Sequence, residues 1–155
     1  MRLDDIMLEE ISRMKRYSLE LSIILIDLDL FKEVNDNFGH LVGDQILIEI
    51  AQILRFNCRG VDVVGRWGGE EFLIICPETS IEEAISAANK FRTLIAQHDF
   101  PEVGNKTASF GVTTGIPSDS VADILRRADK ALYQAKDQGR NRVEFLLGKS
   151  SDNLQ

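Results

Sequence analysis

Positive charge is in short supply in this chain, where 18 Lys and Arg face 25 Asp and Glu for a formal net charge of −7. A nucleic-acid binder normally presents a basic face, so that class is excluded. Cysteine and histidine are scarce as well, two of each, and Cys58 and Cys76 make no metal spacing with the histidines. Without a disulfide framework, a reducing cytoplasm is the expected compartment. No run approaches the roughly 20 apolar residues of a membrane span. Met1-Arg2-Leu3-Asp4-Asp5 also lacks the apolar core of a signal peptide, so no membrane contact by this domain is expected. Internal repeats and low-complexity linkers are missing too. What remains is 155 residues, 44% hydrophobic and 28% charged, the profile of one soluble globular domain able to bury a core.

Periodicity divides the chain into helices and strands. Leu3, Met7, Ile11 and Met14 fall at helical spacing over residues 3 to 17. Leu21 to Ile26 is apolar and branched apart from Ser22, which suits a central strand buried on both faces. A short polar helix is predicted over residues 31 to 38, closed by Gly39, and a longer one over 43 to 56 on Ile46, Leu47, Ile50, Ala51 and Leu54. Val61 to Val64 and Phe72 to Cys76 read as strands of a hairpin, its tight Gly68-Gly69 turn drawing on glycine's tolerance of positive φ. Ser80 and Glu83 form a capping box before a helix, and Ser120 to Asp123 opens another, which Gly139 can end in the left-handed conformation. Strands are predicted over residues 106 to 114 and 142 to 147. The hairpin rules out an all-parallel sheet, so the fold class is α+β, one sheet with helices packed over it.

The densest polar cluster, Asp27-Leu-Asp-Leu-Phe-Lys32, leaves the end of the buried strand. If the strand continues, Asp27 and Asp29 point to one face. Carboxylates there are costly unless solvated, paired or metal-bound; equally, they could cap the next helix. A second acidic pair, Glu70-Glu71, sits on a hairpin whose glycines leave the backbone open to a ligand. Two such carboxylates repel a polyphosphate, by roughly 4 kcal/mol per unit-charge pair near 4 Å at an effective dielectric of about 20. A hard cation between them reverses that sign.

Five motifs occur in order: Asp27-Leu-Asp-Leu-Phe-Lys32; Asn35-Asp36 with Gly39-His40 and Gly43-Asp44; Arg66-Trp-Gly-Gly-Glu-Glu-Phe72; Ser109-Phe-Gly111; and Ala128-Asp-Lys-Ala-Leu-Tyr133 continuing to Lys136 and Gly-Arg-Asn141. Together, over about residues 3 to 145, they resemble the GGDEF domains, bacterial diguanylate cyclases that condense two GTP into cyclic di-GMP and two pyrophosphates. The resemblance implies a single mixed, mostly antiparallel sheet of about five strands flanked by helices, similar to the nucleotide-cyclase and polymerase-palm (ferredoxin-like) architecture. It implies that residues 1 to 147 form the domain and 148 to 155 a tail.

By the same resemblance Asp27, the carbonyl of Leu28, Glu70 and Glu71 hold Mg²⁺ or Mn²⁺. Glu70, first a ligand, also helps deprotonate the attacking ribose 3′-hydroxyl, and with Lys32 it is assigned to catalysis. Asp29 takes a supporting, structural role. Asn35 and Asp44 recognise guanine, because a carboxylate can accept from both N1–H and the exocyclic amine, a pattern adenine lacks. Asp44 starting a helix and Asn35 lying in a loop are the plainer roles for that pair. His40 touches the substrate or merely packs. The backbone of Leu30, Phe31 and Lys32 at a helix N-terminus, with the Lys32 side chain, meets the terminal phosphates, and Gly69 leaves room for substrate. Lys136 and Arg140 grip the triphosphate, although each also suits a helix C-terminus dipole.

Arg59-Gly-Val-Asp62 precedes the Gly-Gly pair in the register of the family's product-binding inhibitory site, with Lys90 where an arginine is common. Lysine cannot reproduce bidentate guanidinium contacts, so weaker product affinity is expected. The family's Asp-x-Leu-Thr-Gly-Leu-x-Asn-Arg segment, normally just before the first helix, does not precede Leu3. The expectation is a domain truncated at its N-terminal edge, fused to a sensor domain in a longer protein. Two readings follow: a metal-dependent diguanylate cyclase acting as a homodimer, at least transiently, or a non-catalytic module that senses GTP or cyclic di-GMP. Acidic, guanine-reading and phosphate-binding positions all being intact favours the enzyme.

Overall fold

The structure is a computed structural model and describes residues 2–149. The last six residues of the expected tail lie outside the described residues. In chain order the elements are α1 (Leu3–Tyr17), β1 (Leu21–Leu28), α2 (Phe31–Phe38), α3 (His40–Asn57), β2 (Val63–Arg66), β3 (Glu71–Pro77), α4 (Ile81–Gln97), β4 (Ala108–Thr114), α5 (Val121–Asp137) and β5 (Val143–Leu147). The strands form one five-stranded sheet in the order β2-β3-β1-β4-β5, antiparallel except for the β4–β5 pair. Within it, β1-α2/α3-β2-β3-α4-β4 is the split β-α-β-β-α-β arrangement of ferredoxin-like folds. The expected α+β class and mixed, mostly antiparallel sheet are both present.

Central position explains why β1 is apolar apart from Ser22 and Asp27. Flanked by β3 and β4 and covered on both faces, all eight of its residues are buried. Ile24, Ile26 and Leu28 pack with Phe72, Ile74, Phe110 and Val112 under α3 and α4. Ile23 and Leu25, with Leu73 and Ile75, face Met7, Ile11 and Met14 of α1 and Ile124, Ala128 and Leu132 of α5. Asp27 shares this second face, so it emerges toward α5. There α5 rests on the backbone itself: a Cβ on Gly111 would lie 2.3 Å from the Ala128 carbonyl oxygen and 2.4 Å from the Leu132 nitrogen. A buried bidentate pair, Arg127 with Asp119 at 2.6 and 3.0 Å, fastens α5 to the end of β4, where Arg127 also donates to the Thr113 hydroxyl and the Thr114 carbonyl.

Several boundaries differ from expectation for local reasons. β1 runs two residues beyond Ile26, carrying Asp27 in the ladder opposite Glu71 and Ser109. β2 starts at Val63 rather than Val61, because Asp62 closes a turn by accepting from the Arg59 amide at 2.9 Å. α3 begins three residues early, at His40, following Gly39 at φ 88. Neither Gly68 nor Gly69 has a positive φ, so the hairpin turn does not draw on that freedom. Gly139 takes φ 127, and the left-handed residues beyond α5 are Arg140 (φ 63) and Asn141 (φ 47). No helix among the described residues is long and apolar enough to cross a membrane.

Candidate active site

Three distant segments meet at the C-terminal end of β1. The strand delivers Asp27, the β2–β3 turn delivers Glu70 and Glu71, and the last turn of α5 delivers Lys136. Lys136 Nζ pairs with Asp27 Oδ2, while the buried Asp27 Oδ1 has no hydrogen-bond partner among the described residues. Glu71 stands directly opposite Asp27 in the β1–β3 ladder. Burial, and then the charge of Asp27, pushes the Glu70 carboxyl above its usual range, with Lys136 only partly opposing. Glu71 is raised for the same reasons in the same order. Two ionised carboxylates cannot donate to each other, so this cluster calls for one more positive charge, either a proton on Glu70 or a cation.

The donor set fits a hard divalent cation. Among the described residues no group of three His, Cys, Asp or Glu side chains is close enough to hold a metal unaided. Two carboxylates and a strand-end carbonyl do suffice for Mg²⁺, which keeps several positions for phosphate oxygens and water. The orphaned Asp27 Oδ1 is the observation that speaks for this.

Phosphate-binding candidates frame the same corner. Asp29 follows the end of β1 and Leu30, at φ 58, turns the chain into α2, whose N-terminus has no side-chain cap. Phe31 is buried beneath that turn, whereas Leu30 and Lys32 are exposed. Arg140 is exposed just beyond α5, with its backbone amide anchored to the Ala135 carbonyl at 3.0 Å. A Cβ on Gly69 would meet nothing within 4 Å, so space is open beside the turn. The Gly68 position is different, since Glu71 Oε2 lies 3.0 Å from where its Cβ would be.

Asn35 is drawn to the start of α3 by the neighbouring glycine. A Cβ on Gly43 would sit 2.1 Å from Asn35 Oδ1, so the side chain occupies room that only glycine leaves beside Asp44. Asp44 and His40 are exposed on the first turns of α3, and among the described residues neither side chain makes a hydrogen bond. The structure thus brings Asp27, Glu70, Glu71 and Lys136 together and sets Asn35 beside the residue preceding Asp44. Lys32, His40, Asp44 and Arg140 are exposed, and among the described residues none has a side-chain hydrogen bond or ion pair.

Arg59, Asp62 and Lys90 form a separate cleft with Asn57, Cys76, Thr79 and Phe91. The Arg59 guanidinium is held by Asp62 at 3.2 Å, the Pro77 carbonyl at 2.7 Å and the Thr79 hydroxyl. Lys90 Nζ reaches the Asn57 carbonyl at 3.4 Å. Sequence reasoning missed Pro77 and Thr79, which prop Arg59 from 18 and 20 residues away. It missed Arg66 too, which donates to the Gly69 carbonyl and lies 5.8 Å over the Phe72 ring, bracing the turn from both sides. The arginine in the Arg66-to-Phe72 motif was the available signal.

Comparison with known proteins identifies the family and the fold. A family model described as diguanylate cyclase, GGDEF domain, matches residues 1–142. The diguanylate cyclase VdcA of Vibrio cholerae is 44% identical over 130 residues, covering 80% of this chain and 38% of that protein. The diguanylate cyclase DgcM of Escherichia coli K12 is 41% identical over 122 residues, 79% of this chain and 30% of that protein. The chain therefore spans about a third of the length of these curated relatives. Among solved structures, the active GGEEF domain of a diguanylate cyclase from Vibrio cholerae superposes with a TM-score of 0.88 at 38% identity, covering 94% of each chain. The GGDEF domain of DgcB from Caulobacter crescentus, in complex with c-di-GMP, gives 0.88 at 28% identity over 92% of this chain and 86% of that one.

Proposed function

The chain belongs to the GGDEF domain family of diguanylate cyclases, and from that premise we propose that it condenses two GTP into cyclic di-GMP. The observation that carries this reading is the convergence of Asp27, Glu70 and Lys136 around a buried carboxylate oxygen with no partner. An acidic cluster of that kind, with Lys136 paired to it, suits a polyphosphate bound together with a divalent metal.

Asp27, the Leu28 carbonyl and Glu70, with Glu71 beside them, would hold Mg²⁺ or Mn²⁺. Such a cation neutralises phosphate charge and lowers the pKa of the attacking hydroxyl. Lys32, the open N-terminus of α2, Lys136 and Arg140 bind the phosphates and balance charge that develops on the leaving pyrophosphate. Asn35 and Asp44 read the guanine edge, with His40 alongside. Gly69 gives the nucleotide room against the turn. Two protomers, each loaded with GTP, face one another. The 3′-oxygen of one GTP forms a bond to the α-phosphorus of the other as the bond to pyrophosphate breaks, and the hydroxyl proton passes to Glu70 or solvent. Two such transfers close the ring and release two pyrophosphates, so turnover requires at least a transient dimer.

The cleft of Arg59, Asp62 and Lys90 would take the product as an inhibitor. We place the catalytic domain at residues 1 to 147 and attribute regulation to a sensor domain elsewhere in a longer cytoplasmic protein, in keeping with the greater length of the relatives.

Incubation with GTP and Mg²⁺ or Mn²⁺, followed by chromatography, tests the reaction. A folded chain that binds GTP but forms no cyclic di-GMP overturns the enzyme reading in favour of a sensing module. Asp44→Ala should relax the preference for GTP over ATP by about 10² or more, since loss of a polar group that reads the base removes the penalty on the wrong one. Unchanged selectivity, measured as the ratio of kcat/KM values, removes Asp44 from the guanine site. Arg59→Ala should raise the concentration of added cyclic di-GMP that halves the initial rate by about tenfold or more. An unshifted inhibition curve would mean that the product binds elsewhere.

A further inference from the structure

We propose that Asp29, which makes no contact with substrate in the reading above, is the positioning residue that sets the triphosphate grip. The inference deepens the proposed GTP site and rests on it. Asp29 is buried at the end of β1, 7% exposed. Its Oδ1 accepts from the Ser109 hydroxyl at 2.6 Å. Its Oδ2 accepts from the Thr107 hydroxyl at 2.6 Å and from the backbone amide of Asn141 at 2.9 Å. Its own amide donates to the Thr107 carbonyl at 2.9 Å. A carboxylate at this depth is costly unless fully bonded, and here three donors converge on it from two distant segments.

The bond to Asn141 is the informative one. Arg140 and Asn141 are consecutive left-handed residues, φ 63 and 47. Residues with side chains rarely adopt that conformation, and it persists where surrounding contacts over-determine it. The Asn141 amide on Asp29 and the Arg140 amide on the Ala135 carbonyl hold the two ends of that kink. Arg140 is thereby fixed in the backbone while its side chain stays exposed beside the pocket. On its other side Asp29 leads directly into Leu30, at φ 58, and the uncapped start of α2 with Lys32. One buried carboxylate therefore sets the spacing between the two phosphate-contacting walls, Arg140 on one and the α2 N-terminus on the other.

A tether of this kind depends on an acceptor more than on charge. In Asp29→Asn the amide oxygen can serve Thr107 and Asn141 while the NH₂ donates to the Ser109 hydroxyl, so the kink should survive. Asp29→Ala leaves the Asn141 amide without an acceptor and should release it.

The test compares binding of guanosine 5′-(β,γ-imido)triphosphate with binding of GMP, both with Mg²⁺, by calorimetry. Asp29→Ala should weaken the triphosphate analogue about 10- to 100-fold, the scale of a misplaced binding group, and leave GMP essentially unchanged. Asp29→Asn should stay within about threefold of the unaltered chain. Arg140→Ala should reproduce the loss, and the double variant Asp29→Ala/Arg140→Ala should add little to it. Equal losses for both nucleotides, or full additivity with Arg140→Ala, overturn the proposal. Should Asp29→Ala not fold, hydrogen exchange on the unaltered chain decides. A protected Asn141 amide supports the tether, and one exchanging at the rate of an unstructured amide overturns it. If the unaltered chain does not prefer the triphosphate over GMP, the GTP-site reading falls as well. A preference that survives Asp29→Ala overturns the tether alone.

Discussion

Replacing Glu70 with glutamine is expected to lower the rate of cyclic di-GMP formation by about 10³-fold, the upper range for removing one electrostatic group from a reaction centre. Glutamine keeps the shape of the side chain but removes the charge that, with Asp27, would hold the cation and take up the hydroxyl proton. Stability should move the other way. Burial and Asp27 raise the Glu70 carboxyl in the folded chain. Its folded pKa thus exceeds its unfolded one, and its contribution to stability is present at low pH and lost as pH rises through the folded value. Above its unfolded range the raised Glu70 carboxyl costs stability, whether ionised or holding a proton, and glutamine does not carry that cost. The metal-free Glu70→Gln chain should therefore melt no lower than the unaltered one, and the GTP-over-ATP preference should persist. A rate within tenfold of the original, or a lowered Tm with lost selectivity, counts against the role assigned to Glu70.

Gly111→Ala should be the most damaging small substitution in the core. The new Cβ would fall 2.3 Å from the Ala128 carbonyl oxygen and 2.9 Å from the Leu132 Cα. These are backbone atoms of α5 and cannot rotate away, so the helix must lift from the sheet. Overpacking of that kind costs about 3 kcal/mol, or about 6–12 °C in Tm for a domain of this size. Gly69→Ala is the control, because nothing lies within 4 Å of its added Cβ and its Tm should barely move. Equal melting of both variants would mean that α5 does not rest on Gly111 as described.

Much of this architecture could be read from local chemistry. β1 announces itself because a strand flanked by neighbours and covered twice carries mostly apolar side chains, here all but Ser22 and Asp27. Both N-caps form as written, Ser80 with Glu83 and Ser120 with Asp123, because a capping box is complete within four residues. What escaped the sequence is whatever depends on partners far away. The left-handed Arg140–Asn141 kink exists because Asp29 is there to hold it, and no local propensity encodes that. Gly111 alternates correctly for a strand, yet its reason is a helix backbone that arrives later in the chain. The Gly68-Gly69 pair suggested positive φ, but the turn closes without it. At the site, residue types and order were legible, and the partnering of Lys136 with Asp27 was not.

That partnering joins positions 109 residues apart, and the Asp29–Asn141 bond joins positions 112 apart. During synthesis the pocket is therefore open-ended until nearly the whole domain has left the ribosome. A chain stopped before Lys136 would have Asp27, Glu70 and the α2 N-terminus but no closing wall. Contacts of such separation form late, after the loop between them has been closed at an entropic cost. Competence to hold GTP should appear only with completion of α5, so nascent or clipped chains would neither consume the nucleotide nor send its signal.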